Sequence, residues 1–115
     1  AAVEDAAATA CLNGIAHAEF HAGPAERLLP ALARRSYRPD VVVLDPPRAG
    51  AAPAALSAVA ALRPSRLVYV SCDPETLARD LRLLADTGYA VQKVQPVDMF
   101  PQTSHTEAVA AVVRE

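Results

Sequence analysis

The sequence predicts an α/β fold, with helices packed on a sheet of buried strands. Three observations predict it. Short continuous apolar runs, VVVL at 41–44 and LVYV at 67–70, have the length and composition of strands buried on both faces. Stretches with apolar residues at helical spacing alternate with them. Gly, Pro and Asp mark the boundaries between the two kinds of segment. With 115 residues the chain is one domain at most, or part of one. A chain of this size can bury roughly two thirds of its unfolded surface, enough for a true core.

Taken in order, residues 1–13 (AAVEDAAATACLN) are Ala-rich and read as a helix that Gly14 stops. Ala18–His21 is a short strand candidate. Pro24–Arg35 reads as a helix with Leu28, Leu29 and Leu32 on one face, although Pro30 removes a donor from its interior. Val41–Leu44 is a buried strand, and Pro53–Leu62 a second helix. Leu67–Val70 is another apolar strand. In Pro74–Asp86 the residues Leu77, Leu81 and Leu84 recur at helical spacing, and Thr87-Gly88 ends the element. Tyr89–Val97 and Ala108–Val113 read as two further strands. No internal repeat, low-complexity linker or domain boundary interrupts the series.

Composition excludes several classes. Hydrophobic residues make up 52% of the chain but aromatics only 4%, so Ala, Val and Leu must build the core. Ten Pro and four Gly are too few for a collagen-like or linker-like chain. No apolar run is long enough to span a bilayer, and no signal-peptide pattern opens the chain. The two cysteines, Cys11 and Cys72, form neither a disulfide framework nor a zinc spacing, so no metal is expected and a reducing, cytoplasmic setting is the default. The net charge of −2 offers no global attraction to nucleic acid. Any attraction would have to be local, as at Arg34, Arg35 and Arg38, or at Arg79 and Arg82.

Ligands of open α/β sheets bind at the carboxyl ends of the strands, and three unusual segments fall there. Asp45-Pro46-Pro47-Arg48-Ala49-Gly50 follows VVVL directly. Its two prolines fix φ, remove two donors and make a stiff exit that holds the Asp45 carboxylate and presents Arg48; the alternative is a rigid turn with an exposed acid. Ser71-Cys72-Asp73-Pro74 follows LVYV. Asp73 suits an N-cap and Pro74 the first helical position. Cys72 then lies at a helix N-terminus, where the positive end of the dipole favours a thiolate, with the Asp73 charge opposing. That corner favours a nucleophile over an inert core thiol. Cys11, inside an Ala-rich helix, reads as packing. The third segment, Asp98 to Glu107 (DMFPQTSHTE), connects the last two strands and offers carboxylates, an imidazole, an amide and hydroxyls. His105 could equally bond a backbone group. His17 and His21 sit in the strand-like segment without an acidic or Cys partner at ligand spacing and read as non-catalytic.

Together these segments resemble the RNA uracil-5-methyltransferases, S-adenosylmethionine-dependent enzymes that form 5-methyluridine in transfer and ribosomal RNA. The family pattern runs DPPR-x-G, then apolar-Tyr-x-Ser-Cys-x-Pro, then Asp-x-Phe-Pro-x-Thr-x-His-x-Glu. Here these are Asp45–Gly50, Leu67–Pro74 with Thr76, and Asp98–Glu107, in the same order and spacing. Ala2–Ala6 with Asn13-Gly14-Ile15 looks like the family's helix after the cofactor ribose site. The sequence departs from the pattern at Thr106, usually apolar, and at Pro24, where an Asp lining the adenine pocket is expected. The glycine-rich cofactor loop is absent, since no two of the four glycines form G-x-G.

The resemblance implies residues 1–115 as the C-terminal portion of a methyltransferase catalytic domain, lacking the N-terminal segment of its parent. It implies a Rossmann-like class I methyltransferase sheet of order 3-2-1-4-5-7-6, incomplete because strands 1 and 2 are missing, with the last two strands an antiparallel pair. Ala18–His21 would then have no neighbour, and Val41–Leu44 would form an open edge. A chain so exposed is expected to be marginally stable and a poor cofactor binder alone.

The implied activity is methylation of carbon 5 of uridine in tRNA or rRNA, with S-adenosylmethionine as cofactor and RNA as partner, and no membrane. Cys72 is the implied nucleophile and Glu107 the implied base. Asp45 is implied to contact the cofactor or the target base, whereas Arg48 has no assigned role. Two other readings use the same residues. One is a hydrolase built on Cys72, His105 and Glu107. The other is an inactive fragment or small α/β binding module, favoured by the missing glycine loop.

Overall fold

The computed structural model describes residues 2–97 and 107–115. Eight elements run α1 (Ala2–Leu12), α2 (Ala25–Arg34), β1 (Val41–Leu44), α3 (Pro53–Ala61), β2 (Arg66–Ser71), α4 (Pro74–Ala85), β3 (Tyr89–Val97) and β4 (Glu107–Arg114). The four strands form one sheet in the order β1-β2-β4-β3. β1 and β2 are parallel, with Val42 opposite Leu67 and Leu44 opposite Tyr69. β4 is antiparallel to both its neighbours, pairing Leu67 with Val112 on one side and Val91 with Val112 on the other. The β3–β4 register shifts once, between Val91 and Lys93. An α/β sheet with its last two strands antiparallel therefore agrees with the sequence reading.

Successive strand residues face opposite sides. Leu67 and Tyr69 of β2 and Ala110 and Val112 of β4 share one face and are completely or almost completely buried. Leu56 and Val59 of α3 and Leu77 and Leu84 of α4 close the core over them. At roughly 25 cal/mol per Å² of apolar surface, this cluster is the main source of stability. α2 and α3 pack together beside it, and α3 meets α4. Side chains on the other face, such as Val68 and Val70, are half-buried.

The structure departs from the sequence reading in three places. Ala18–His21 is not a strand: residues 15–24 are irregular, because strand geometry needs a paired neighbour and none of the described residues pairs with this segment. Val41–Leu44 is a strand, but not one buried on both faces. It is the open edge that the family resemblance implies, with Val41 and Val43 50% and 64% exposed. Cys11 is exposed rather than packed, since α1 buries only Ala10.

The helices start as their sequences dictate. Asp73 caps α4 by accepting hydrogen bonds from the Glu75 and Thr76 amides at 2.9 and 3.4 Å, and Pro74 occupies the first turn. α2 tolerates Pro30 within its span. No helix of the described residues is long and apolar enough to cross a membrane.

Candidate active site

The loops that leave β1 and β2 open at the same end of the sheet. Leu44 stands opposite Tyr69, so Asp45 follows at the level of Val70. Ser71 stands opposite Ala108 in the antiparallel β2–β4 ladder, so Cys72 and Glu107 each lie one residue beyond that pair. Three chain segments thus bring Asp45, Cys72 and Glu107 to one edge. Asp45 is exposed, and Cys72 and Glu107 are partly buried. Segment 98–106, which holds Asp98 and His105, lies outside the described residues. The hydrolase reading, which depends on His105, therefore has no described geometry.

The Cys72 corner is built by its neighbours. Ser71 is buried, and its hydroxyl donates to the Asp73 carbonyl at 2.8 Å while accepting from the Asp73 amide at 3.1 Å. The Asp73 carboxylate is committed to the α4 cap. Cys72 is thereby held at the turn between a strand end and the N-terminus of α4, the positive end of the helix dipole.

The Asp45–Gly50 loop is held by α4. Gly50 closes a turn, its amide donating to the Pro47 carbonyl at 2.8 Å, with φ at +85°. A Cβ there would meet Arg79 Nη2 at 2.5 Å and Asp80 Oδ2 at 2.7 Å, so only glycine fits without displacing them. Thr76 Oγ1 donates to the Arg48 carbonyl at 3.0 Å, and Arg79 Nη2 donates to the Ala49 carbonyl at 2.9 Å. The Ala51 amide donates to Asp80 Oδ2 at 2.9 Å.

Asp80 is fully buried and also accepts a short hydrogen bond from the Tyr69 hydroxyl. Arg79 neutralises it through Nε and Nη2, both 3.0 Å from Oδ1. Burial pushes the Tyr69 phenol well up, and its bond to Asp80 adds to the shift. Sequence reasoning missed this network and placed Arg79 only in a small basic group with Arg82. The available signal was an acid at position 80, three residues after Leu77 and four before Leu84, on the buried stripe of α4.

Beside Asp45 lies a hollow of about 400 Å³ between α2 and the end of β1. Leu29, Val43 and Pro46 give it apolar walls, and Glu26 and Asp45 bring carboxylates. His17 and His21 lie elsewhere, at a separate hollow with Arg35 and Tyr37. His21 Nε2 lies 3.5 Å from Glu19 Oε2 at the surface. Among the described residues no group of His, Cys, Asp and Glu could hold a metal ion.

A β1-β2-β4-β3 sheet with β4 antiparallel corresponds to strands 4-5-7-6 of the class I methyltransferase sheet, so the fold is an incomplete Rossmann-like methyltransferase sheet. A likeness of fold alone extends to M1.HpyAVI in its SAM complex, with a TM-score of 0.68 at 15% identity over 83% of this chain and 52% of that one. More specifically, the model of the tRNA (uracil-5-)-methyltransferase family matches residues 17–114, and the chain belongs to that family.

Among solved structures, the tRNA (uracil-54, C5)-methyltransferase of Pyrococcus abyssi in complex with S-adenosyl-L-homocysteine superposes with a TM-score of 0.79. It is 36% identical over 97% of this chain and 26% of its own. An uncharacterised RNA methyltransferase of Geobacter sulfurreducens is 53% identical over the whole chain and 23% of its own length. One of Oceanobacillus iheyensis is 51% identical over 95% of this chain and 24% of its own. The chain thus spans about a quarter of the length of these curated relatives.

Proposed function

We propose that this chain is the C-terminal part of the catalytic domain of an RNA (uracil-5-)-methyltransferase, and that it carries the nucleophile and base of the reaction. The observation that carries the reading is the convergence of Asp45, Cys72 and Glu107 on the carboxyl edge of β1 and β2. The substrate is a uridine of tRNA or rRNA, and the setting is the cytoplasm. The cofactor is S-adenosylmethionine. The hollow beside Asp45 suits it chemically, with apolar walls for an adenine ring and the Asp45 and Glu26 carboxylates for its cationic groups. When bound, the cofactor supplies an electrophilic methyl group.

Carbon 5 of uracil is a weak nucleophile. The Cys72 thiolate adds to carbon 6, forming a carbon–sulfur bond and moving the ring electrons onto an enolate, which makes carbon 5 reactive. Once carbon 5 is methylated, the Glu107 carboxylate removes its remaining proton. The ring double bond re-forms, and the Cys72 sulfur leaves carbon 6 with the electrons of its bond. The target base has to leave its stack to reach this edge.

The two roles separate experimentally in the full-length protein. Cys72→Ala forms no covalent protein–RNA species on a denaturing gel. Glu107→Gln methylates once and stalls as a stable adduct. The assignment is wrong if the two variants behave alike.

A further inference from the structure

The Thr76–Arg79–Asp80 face of α4 does more than fill space. Each of the three side chains bonds the loop that follows Asp45: Thr76 at the Arg48 carbonyl, Arg79 at the Ala49 carbonyl, Asp80 at the Ala51 amide. The same helix begins at the Asp73 cap, one residue after Cys72. The two loops of the candidate site therefore share one rigid element. The bonds are charge-assisted where Arg79 and Asp80 make them, a class stronger than neutral hydrogen bonds. Asp80 is tied in turn to Tyr69 of β2, so the helix face and the sheet brace the same loop.

We propose that Thr76, Arg79 and Asp80 are positioning residues that lock the Asp45 loop to the helix carrying Cys72, and that cofactor affinity depends on this lock. The inference rests on the reading that Asp45 contacts the cofactor. Arg79 acts through the backbone of Ala49, and Thr76 through that of Arg48. Gly50 is the point where the lock is tightest, because its missing side chain leaves the space that Arg79 and Asp80 occupy.

The test is calorimetric titration of the full-length protein with S-adenosylhomocysteine, alongside thermal melts. Arg79 is half exposed but neutralises the fully buried Asp80, so its loss is expected to lower stability as well as affinity. Arg79→Leu is expected to raise the dissociation constant about 10- to 100-fold, the equivalent of one lost hydrogen bond to a charged group. Its melting temperature should fall, because Asp80 is left buried without its cation, and Arg79→Lys should recover part of both affinity and stability. Thr76→Val, a near-isosteric change at a neutral hydrogen bond, should weaken binding in the same direction with a melting temperature close to that of the wild type, and carries the test should Arg79→Leu fail to fold.

The proposal is overturned if both variants bind as tightly as the wild type while Asp45→Ala binds weakly. It is also overturned if Thr76→Val loses affinity only together with a collapse in melting temperature, which would make the network structural alone. If Asp45→Ala itself binds normally, the cofactor-contact reading has failed and takes the proposal with it, by a separate signature.

Discussion

Asp80 is a fully buried acid on an otherwise apolar helix stripe, and it is tolerable only because every lone-pair direction has a partner. The Tyr69 hydroxyl, the Ala51 amide and the Arg79 guanidinium supply them. No buried side-chain polar atom among the described residues lacks a partner. Removing the carboxylate strands the buried Tyr69 hydroxyl and the Ala51 amide, so Asp80→Ala should destabilise the full-length protein by about 2–5 kcal/mol, read from the shift in its urea midpoint. A loss near zero would mean that the neighbours rearrange at no cost. Position 80 was visible in the sequence as a misfit on the stripe, but its purpose was not. Its loop partner is 29 residues away, and no local rule links an Asp to a backbone amide at that distance.

α4 is the element whose sequence spoke most plainly. Asp73, Pro74 and the Leu repeat predicted its start and its buried side, because capping and periodicity are local properties. The cap also holds the Cys72 corner, so Asp73→Ala should cost about 1 kcal/mol and lower the melting temperature of the full-length protein. An unchanged melt would show that the Ser71 hydroxyl bonds carry the corner without it. β3 and β4 were legible for a similar reason, as long apolar or alternating runs on either side of a polar connection. Two other elements were not. Ala18–His21 has a weak strand composition, and pairing, which the run itself does not encode, decides such cases. VVVL was correctly a strand but wrongly assigned burial on both faces. Burial is a property of what covers a strand, and as the sheet's edge β1 keeps Val41 and Val43 half exposed or more. At the candidate site, the motif residues stood out because Pro-Pro and Ser-Cys-Asp-Pro are unusual after strands. The bracing residues did not, because each acts through a backbone group in another segment.

At the scale of the molecule, two buried tyrosines tie the sheet to helix α4 and to the loop before β2. Tyr69 bonds Asp80, and Tyr89 donates to the Pro64 carbonyl at 2.7 Å. Burial raises both phenols above their ordinary value. The folded chain therefore keeps these protons to higher pH than the unfolded chain, whose tyrosines titrate near about pH 10. Below that pH the contribution to stability is fully present. Above it the unfolded state binds fewer protons, so stability falls as pH rises. Melting temperature followed across this range should drop from about pH 10 upward, and Tyr89→Phe should make the decline shallower. A flat profile would mean that the phenols titrate alike in both states. The open β1 edge belongs to the same scale. In a sheet of the class I order this edge faces strand 1, and relatives roughly four times as long have chain enough to supply it.

The strand order also sets a timetable. β4 sits between β2 and β3, yet it follows both in the chain. On the ribosome, β3 emerges with no partner and β2 with one side bare, and both wait until residues 107–114 have been made. A premature stop in the connection would not trim the border of the sheet. It would remove the strand that joins its halves, leaving two exposed edges for the quality-control machinery to find.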